Sequence, residues 1–424
     1  MTIEIKPVAN LNASLAAPPS KAHTLRALFT SSLADGKSTL KNALFAEDQL
    51  LAADALRSFG AKISRKGNDF IVEGNGGVLS VPKKRIFAGN SGLTLRFLLS
   101  YASLCPKGKT VITGSERMKQ RPASDLISAL HQLGIKTRSL SKKSFIPLEI
   151  SANSFEGGKA TMDGSKSSQY ISAILLSAPY AKSDIELHVK GNLASKPYVD
   201  ITLEVMRSFG VYAAHVGYEK FAVISGQRYV PKHYEIEGDY SSSSFFFSGA
   251  AICNGKVKVS NLNPHSLQGD KHFLSLLEKM GCSVSFSQGC AIVEGTSKLK
   301  PLGKIDMQDY PDIVLPLAVT GAFAKGKTTI SNISHLRIKE SDRIASAVRE
   351  LKRIGAKARA TKNAIIIEGN GGKNLHGAEI ETYNDHRVAM SFAVAGLKLK
   401  GMKIKNEECV QKSFPDFFKK LSSL

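Results

Sequence analysis

Gly326–Gly369 reads GKTTISNISHLRIKESDRIASAVRELKRIGAKARATKNAIIIEG, and it holds the second part of the pattern that builds the chain. A glycine turn and a lysine lead into a short strand, Gly326-Lys-Thr-Thr-Ile. Ser341 and Asp342 are helix-capping residues, and Ile344 and Val348 recur behind them at helical spacing. Glycine closes that helix in KRIGAK at Lys352–Lys357. ARATKNAIIIEG at Ala358–Gly369 then reads as a strand pair. Lys339, Glu340 and Arg343 fall within about one turn of the helix start. Taken alone, that cluster is a solvated helix end with an ordinary Glu/Arg pair. The rest of the chain changes the reading.

The opening phrase recurs as Gly36-Lys-Ser-Thr-Leu, Gly108-Lys-Thr-Val-Ile, Lys182-Ser-Asp-Ile, Gly255-Lys-Val-Lys-Val and Gly401-Met-Lys-Ile. The period, roughly 70–75 residues, exceeds that of common solenoid repeats. Glycine-closed helix ends recur too, as RSFGAK at Arg57–Lys62, HQLGIK at His131–Lys136, RSFGV at Arg207–Val211 and EKMGCS at Glu278–Ser283. Before each turn lies a second helix whose start is polar: Ser20-Lys-Ala-His, Asn90-Ser-Gly, Ser165-Lys-Ser-Ser-Gln, Gly238-Asp-Tyr-Ser-Ser, Gln308-Asp-Tyr-Pro-Asp and Tyr383-Asn-Asp-His-Arg. Behind each start the residues turn small and apolar, as in LTLRFLLSYA and IVLPLAVTGAFA. Helices that apolar on most sides are buried. The unit therefore reads strand, buried helix, strand, outer helix, two strands: an α/β (α+β) chain of six βαβαββ copies, the last cut short. Val230-Pro-Lys-His-Tyr and Ala17-Pro-Pro-Ser are candidate hinges. They place one lobe at 1–19 plus 238–424 and the other at 20–237, with hinges near 17–20 and 230–238.

Length and composition fit that plan. At 424 residues the chain exceeds one ordinary core. A composition 42% hydrophobic and 22% charged is that of a globular protein. No apolar run reaches membrane-spanning length, and MTIEIKPVANLNA has no apolar signal core, so a cytoplasmic protein is expected. The five cysteines form no CxxC pair, which argues against a disulfide scaffold or zinc site. A net charge of +22 suits anionic partners. The lysines are dispersed, however, without the basic block or aromatic platform of a nucleic-acid binder.

A helix start offers unpaired N–H groups and about half a positive charge. Several gathered together make an anion site. For any single start, capping explains the polar residues. Six starts that also carry Lys21, Arg26, Arg96, Gln169, Asp312, His386 and Arg387 predict an anion-binding centre.

The motifs, in order, resemble those of the EPSP synthase family of the enolpyruvyl transferase superfamily. They are SKxxxxR at Ser20–Arg26, GNSG…R at Gly89–Arg96, ERMKQRP at Glu116–Pro122, DGSKSSQ at Asp163–Gln169 and SKPYVDITL at Ser195–Leu203. EGDYSS at Glu237–Ser242, YPD at Tyr310–Asp312, LRIKESDR at Leu336–Arg343, YNDHR at Tyr383–Arg387 and KSFPDF at Lys412–Phe417 complete the set. The resemblance implies a two-lobed inverse α/β barrel-like fold, three repeats per lobe, with converging helix N-termini and a hinge that closes on substrate. It implies transfer of the enolpyruvyl group of phosphoenolpyruvate to the 5-hydroxyl of shikimate 3-phosphate, releasing phosphate. No metal, organic cofactor, nucleic acid or membrane is implied, and a monomer is expected. Carried over, Lys21, Arg26, Ser167, Ser168, Gln169, Ser195, Tyr198, Asp312 and Lys339 match the shikimate 3-phosphate positions. Lys21, Gly92, Arg121, Gln169, Arg343, His386, Arg387 and Lys412 match the phosphoenolpyruvate positions. Asp312, Glu340 and Lys21 match the catalytic ones.

Three departures stand out. Ala22 replaces the serine that many members place beside shikimate 3-phosphate, with His23 and Thr24 as candidate substitutes for its hydroxyl. Leu93 stands where threonine is frequent and Phe97 where proline is, near the phosphoenolpyruvate pocket, which predicts reduced glyphosate sensitivity. The competing readings are a sister enzyme acting on a UDP-sugar, the same transfer to another cyclohexene acid, and a non-catalytic or nucleic-acid-binding clamp. The sister enzyme uses a loop cysteine before an Arg-Pro pair. Here that loop, Glu116-Arg-Met-Lys-Gln-Arg-Pro, has none.

Overall fold

A computed structural model describes residues 1–424, which divide into two compact units. One comprises Met1–Pro18 and Glu237–Leu424, the other Pro19–Ile236.

The Pro19–Ile236 unit holds three four-stranded sheets. In the second, Ile86–Phe87 lies parallel to Lys109–Thr113, and Leu148–Ser151 and Thr137–Ser139 follow antiparallel. The parallel step is possible because the buried helix Gly92–Tyr101 carries the chain back across the sheet. The third sheet repeats this from Gly158–Asp163 to Ile185–Lys190 around the helix Gln169–Ser177. In the first sheet the leading place beside Asp35–Lys41 is taken by His233–Glu235, the last strand of the unit.

The other unit has the mirror arrangement. Asn12–Ala16 lies parallel to Lys256–Ser260, so the N-terminal segment supplies that sheet's leading strand. A second four-stranded sheet follows the order Gly303–Asp306, Lys325–Ser331, Ile365–Asn370, Lys357–Ala360. The third has three strands, in the order Thr2–Ile5, Met402–Lys405, Glu379–Ile380. Thr2–Ile5 pairs antiparallel with Met402–Lys405, from Thr2 opposite Lys405 to Ile5 opposite Met402.

Six central helices explain the sequence pattern. All of Gly92–Tyr101, Val314–Phe323 and His386–Ala395 is buried. Only Lys21 and Ala22 of Lys21–Leu33, Gln169 of Gln169–Ser177 and Cys253 of Tyr240–Cys253 escape full burial. Buried hydroxyls need partners. Many on the central helices return to their own helix's carbonyls, as Ser32 does to Phe29, or bond across helices. Ser248 meets Thr320 at 2.7 Å, and Ser172 meets Thr202 at 2.7 Å. The outer helices bury one face each and end where Gly60, Gly134, Gly210, Gly281 and Gly355 take φ between +82° and +101°. Only glycine adopts that turn without cost. No helix is long and apolar enough to cross a membrane.

With both faces of the central helices occupied, the free backbone N–H groups lie only at their starts. Ser20 caps through His23 N, Ser91 through Thr94 N, Asp239 through Ser242 N and Asp385 through Arg387 N. The polar clusters sit at these starts.

Candidate active site

In the Glu237–Leu424 unit the centre is Arg343, first residue of the helix Arg343–Arg353 and 2% exposed. Asp342 caps that helix by accepting from Ala345 N at 3.0 Å. Ser341, the other expected cap, instead donates to Asp385 Oδ2 at 3.0 Å. The Arg343 guanidinium grips three carboxylates. Nε reaches Asp385 Oδ2 at 2.8 Å and Nη2 reaches Asp385 Oδ1 at 3.2 Å. Nη2 also meets Glu340 Oε2 at 3.0 Å, and Nη1 meets Asp312 Oδ1 at 3.1 Å. Burial acts to discharge Arg343, but Asp385, Glu340 and Asp312 outweigh it and hold the group firmly charged.

Asp312 is shared. Arg387 Nε lies 2.9 Å from its Oδ1, and Arg387 Nη1 donates to the Asp312 carbonyl at 3.1 Å. The following helix, Val314–Phe323, takes no side-chain cap, so Asp312 is not a capping residue. Glu340 is only 10% exposed and faces a buried guanidinium, so it is not a surface pair either. Asp385 is fully buried, caps the helix His386–Ala395 and holds the back of Arg343. Its Oδ1 lies 3.6 Å from His386 Nδ1. Lys339 follows the short helical turn Ser334–Ile338. Lys412 is buried at the end of Glu407–Lys412, which packs on His386–Ala395.

Two further buried groups face this cluster. Asp270 accepts a hydrogen bond from Ser241, and burial together with nearby Asp312 raises its carboxyl to about 7, against the opposing pull of Arg387. Burial and the neighbouring Lys339 push His335 down to about 3, and its Nε2 has no hydrogen-bond partner.

The Pro19–Ile236 unit gathers the other residues. Lys21 opens its helix after Ser20, and its Nζ lies 2.6 Å from Asp48 Oδ2. Arg96 donates from Nη1 to Gln169 Oε1 at 2.6 Å and lies 5.3 Å from the Tyr170 ring centre. Gly92 sits against two guanidiniums. A Cβ there would meet Arg96 Nη1 at 2.6 Å and Arg121 Nη1 at 2.7 Å, so only a residue without one leaves them in place. Arg26 is fully buried, held by Thr202 Oγ1, the Ala22 carbonyl and the Tyr198 carbonyl at 2.8, 3.0 and 2.9 Å. Burial lowers it to about 10, which leaves it charged. These bonds use three of five N–H groups and leave two for a ligand. Ser167 and Ser168 are buried at the start of Gln169–Ser177. Ser195 has φ +61° and a buried Oγ with no partner.

The structure therefore joins Asp312, Glu340, Arg343 and Arg387 in one network, with His386 close to it through Asp385, links Arg96 to Gln169, and sets the guanidiniums of Arg96 and Arg121 against Gly92. Sequence reasoning did not single out Asp48, Asp270 or Asp385 as site residues. Only Asp385 lay inside a quoted motif, where it read as a cap. His23 and Thr24, the candidate substitutes for the hydroxyl missing at Ala22, both bond to Ser20. His23 Nδ1 is 2.9 Å from Ser20 Oγ, while Thr24 donates to the Ser20 carbonyl at 2.8 Å and accepts from Leu44 N. Leu93 and Phe97 are buried in the apolar core.

Guanidiniums at capped helix starts, beside carboxylates held in a buried network, are the equipment of an enzyme that binds small anions and moves protons on them. The chain belongs to the EPSP synthase (3-phosphoshikimate 1-carboxyvinyltransferase) family, whose profile matches residues 5–421. It is 42% identical over 422 residues to the 3-phosphoshikimate 1-carboxyvinyltransferase of Methanoculleus marisnigri, covering 99% of each chain. It is 37% identical over 431 residues to that of Vibrio vulnificus, covering 100% of this chain and 99% of the relative. Its fold matches the EPSP synthase of Acinetobacter baumannii with a TM-score of 0.81 at 27% identity, covering 100% of this chain and 97% of that one.

The pKa of His335 gives a stability test. Its folded value lies below the ordinary 6.5, so only the unfolded chain takes up its proton as pH falls from 6.5 toward 3. Its contribution is present above 6.5 and is lost as pH falls through that window. Urea unfolding of His335→Asn is expected to show a shallower stability loss between pH 7 and pH 5 than wild type. Equal slopes would contradict the burial argument.

Proposed function

We propose that this protein transfers the enolpyruvyl group of phosphoenolpyruvate to the 5-hydroxyl of shikimate 3-phosphate, giving 5-enolpyruvylshikimate 3-phosphate and phosphate. The carrying observation is the Arg343 network, which holds two carboxylates, Asp312 and Glu340, on one buried guanidinium. Family membership over nearly the whole chain supports the substrate pair.

The reaction requires two proton movements. The 5-hydroxyl loses a proton and its oxygen attacks C2 of phosphoenolpyruvate while C3 gains a proton. The tetrahedral intermediate then expels phosphate as C3 gives that proton up. Asp312 takes the hydroxyl proton, Glu340 serves C3 in both directions, and Lys21 stabilises charge and passes protons. Arg121, Arg343, His386, Arg387 and Lys412 hold phosphoenolpyruvate, with Gln169, Lys21 and the approachable Gly92 backbone. Arg26, Ser167, Ser168, Gln169, Ser195, Tyr198, Lys339, Lys21 and Asp312 hold shikimate 3-phosphate. Ser195 suits this role because its buried hydroxyl is uncommitted.

The geometry also suggests how Asp312 becomes a base. Two guanidiniums, of Arg343 and Arg387, hold its Oδ1. An anionic substrate on Arg343 and Arg387 competes for those donors and frees Oδ1 of Asp312 to accept the hydroxyl proton. No second copy, nucleic acid, membrane or cofactor enters this chemistry, and a cytoplasmic monomer suffices for it.

One observation favours a second reading, the same transfer to a different cyclohexene acid. Ala22 has no hydroxyl, and His23 and Thr24 are committed elsewhere.

Phosphate release from the purified protein is the test, with each substrate omitted in turn and a UDP-sugar in place of shikimate 3-phosphate. Release is expected only with both natural substrates. Asp312→Asn and Glu340→Gln are each expected to lower turnover about 100-fold or more, the usual scale of acid–base catalysis. Turnover near wild type in either would remove that residue from its role. Ala22→Ser is expected to lower KM for shikimate 3-phosphate about tenfold, the low end for a hydrogen bond to a charged group. An unchanged KM for that substrate, with a lower one for another ring acid, would favour the second reading.

A further inference from the structure

A buried carboxylate outside the substrate contacts is tied to the segment that presents Arg387. Glu350 lies on the helix Arg343–Arg353 and is fully buried. Its Oε1 accepts from the Tyr383 hydroxyl at 2.6 Å, and its Oε2 accepts from Glu381 N at 3.2 Å. Arg353 Nη1 lies 3.1 Å from the same Oε2 and donates to the Glu379 carbonyl at 2.9 Å. Arg349 covers the Tyr383 ring, with its guanidinium carbon 5.7 Å from the ring centre. Glu350 thus grips the 379–383 segment through a side chain and a backbone amide.

That segment is strained. Tyr383 and Asn384 have φ of +55° and +53°, two consecutive non-glycine residues in the left-handed region. A bulky residue enters that region only when its surroundings enforce it. Immediately afterwards come Asp385, His386 and Arg387. Asp385 N donates to the Thr382 carbonyl at 2.9 Å, closing the turn, and Asn406 Nδ2 donates to Asn384 Oδ1 at 3.2 Å.

The helix Arg343–Arg353 therefore touches this segment twice. Arg343 holds Asp385 beyond the turn. Seven residues later, about 10 Å along the axis, Glu350 holds Tyr383 before it. Two fixed points around a strained turn set the direction in which the next helix begins, and Arg387 rides on that start.

We propose that Glu350 and Tyr383 are a positioning pair for the anion site of Arg343 and Arg387, holding the left-handed turn that aims Arg387. This rests on the functional reading above and adds two residues to it. Neither touches substrate. Loss of the Tyr383 hydroxyl lets the turn relax and moves Arg387 away from Arg343, so the anion bound by both loosens. Shikimate 3-phosphate, held by residues of the Pro19–Ile236 unit for the most part, is little affected.

The test is steady-state kinetics of Tyr383→Phe, Glu350→Gln and the double variant. Tyr383→Phe keeps the ring and its stack on Arg349. Glu350→Gln removes the charge that pairs with Arg353 and leaves one acceptor oxygen where two accept from Tyr383 and Glu381 N. Each is expected to raise KM for phosphoenolpyruvate five- to tenfold while KM for shikimate 3-phosphate stays within twofold. The double variant is expected to match the worse single one, because both substitutions break one device. A purely structural role would lower thermal stability or the active fraction and leave both KM values unchanged, overturning the proposal. Equal shifts in both KM values, or effects that multiply in the double variant, would also overturn it. Should wild type show no turnover, the functional reading fails, and the pair is judged by calorimetric binding of phosphoenolpyruvate alone. Tyr383→Phe must then weaken that binding by the same five- to tenfold factor, and unchanged binding rejects the pair.

Discussion

One guanidinium surrounded by three carboxylates is the interaction on which this site depends. Arg343 is nearly inaccessible to water, and so are Asp385 and Glu340. Removing charge from water is costly, and removing one partner of a buried pair costs about 3–5 kcal/mol. The network persists because a planar fork reaches both oxygens of Asp385 and one oxygen each of Glu340 and Asp312 at 2.8–3.2 Å. A compact ammonium has no such fork. The same constraint places Asp312 and Glu340 on opposite arms of one group, which brings two proton-handling residues together.

The repeats explain why such a network lies where it does. Helices buried on all faces have satisfied backbones except at their ends. Their starts collect caps, and caps beside cations form anion sites. Gly92 shows how close the fit is, since a single Cβ would collide with Arg96 and Arg121. The outer helix Arg343–Arg353 adds a further cation to those at the central starts. Glu350, on the same helix, braces the turn before Asp385.

Much of this was legible in the sequence because its signals are local. Six apolar helices with polar starts, five glycine-closed outer helices and recurrent strand phrases repeat at a near-constant period. Lys339, Glu340 and Arg343 drew attention by proximity in sequence, and Asp312 and Arg387 by their motifs. The rest depends on contacts distant along the chain. Asp270 meets Ser241 across 29 residues and Asp385 meets Arg343 across 42. Neither spacing carries a periodic signal. Pairing of Thr2–Ile5 with Met402–Lys405 spans almost the entire chain and adds an edge strand that no local signal announces. The commitments of His23 and Thr24 depend on Ser20 and Leu44 and became visible only in three dimensions.

The most direct measurement is turnover of Arg343→Lys with shikimate 3-phosphate and phosphoenolpyruvate, followed by phosphate release and accompanied by circular dichroism. Lysine keeps the positive charge but reaches at most part of the carboxylate set. The account predicts a folded protein whose turnover falls by at least about 100-fold, with a raised KM for phosphoenolpyruvate, because three carboxylates lose their shared anchor. Turnover within a few-fold of wild type would show that charge alone suffices, and would contradict the central place given to the Arg343 fork.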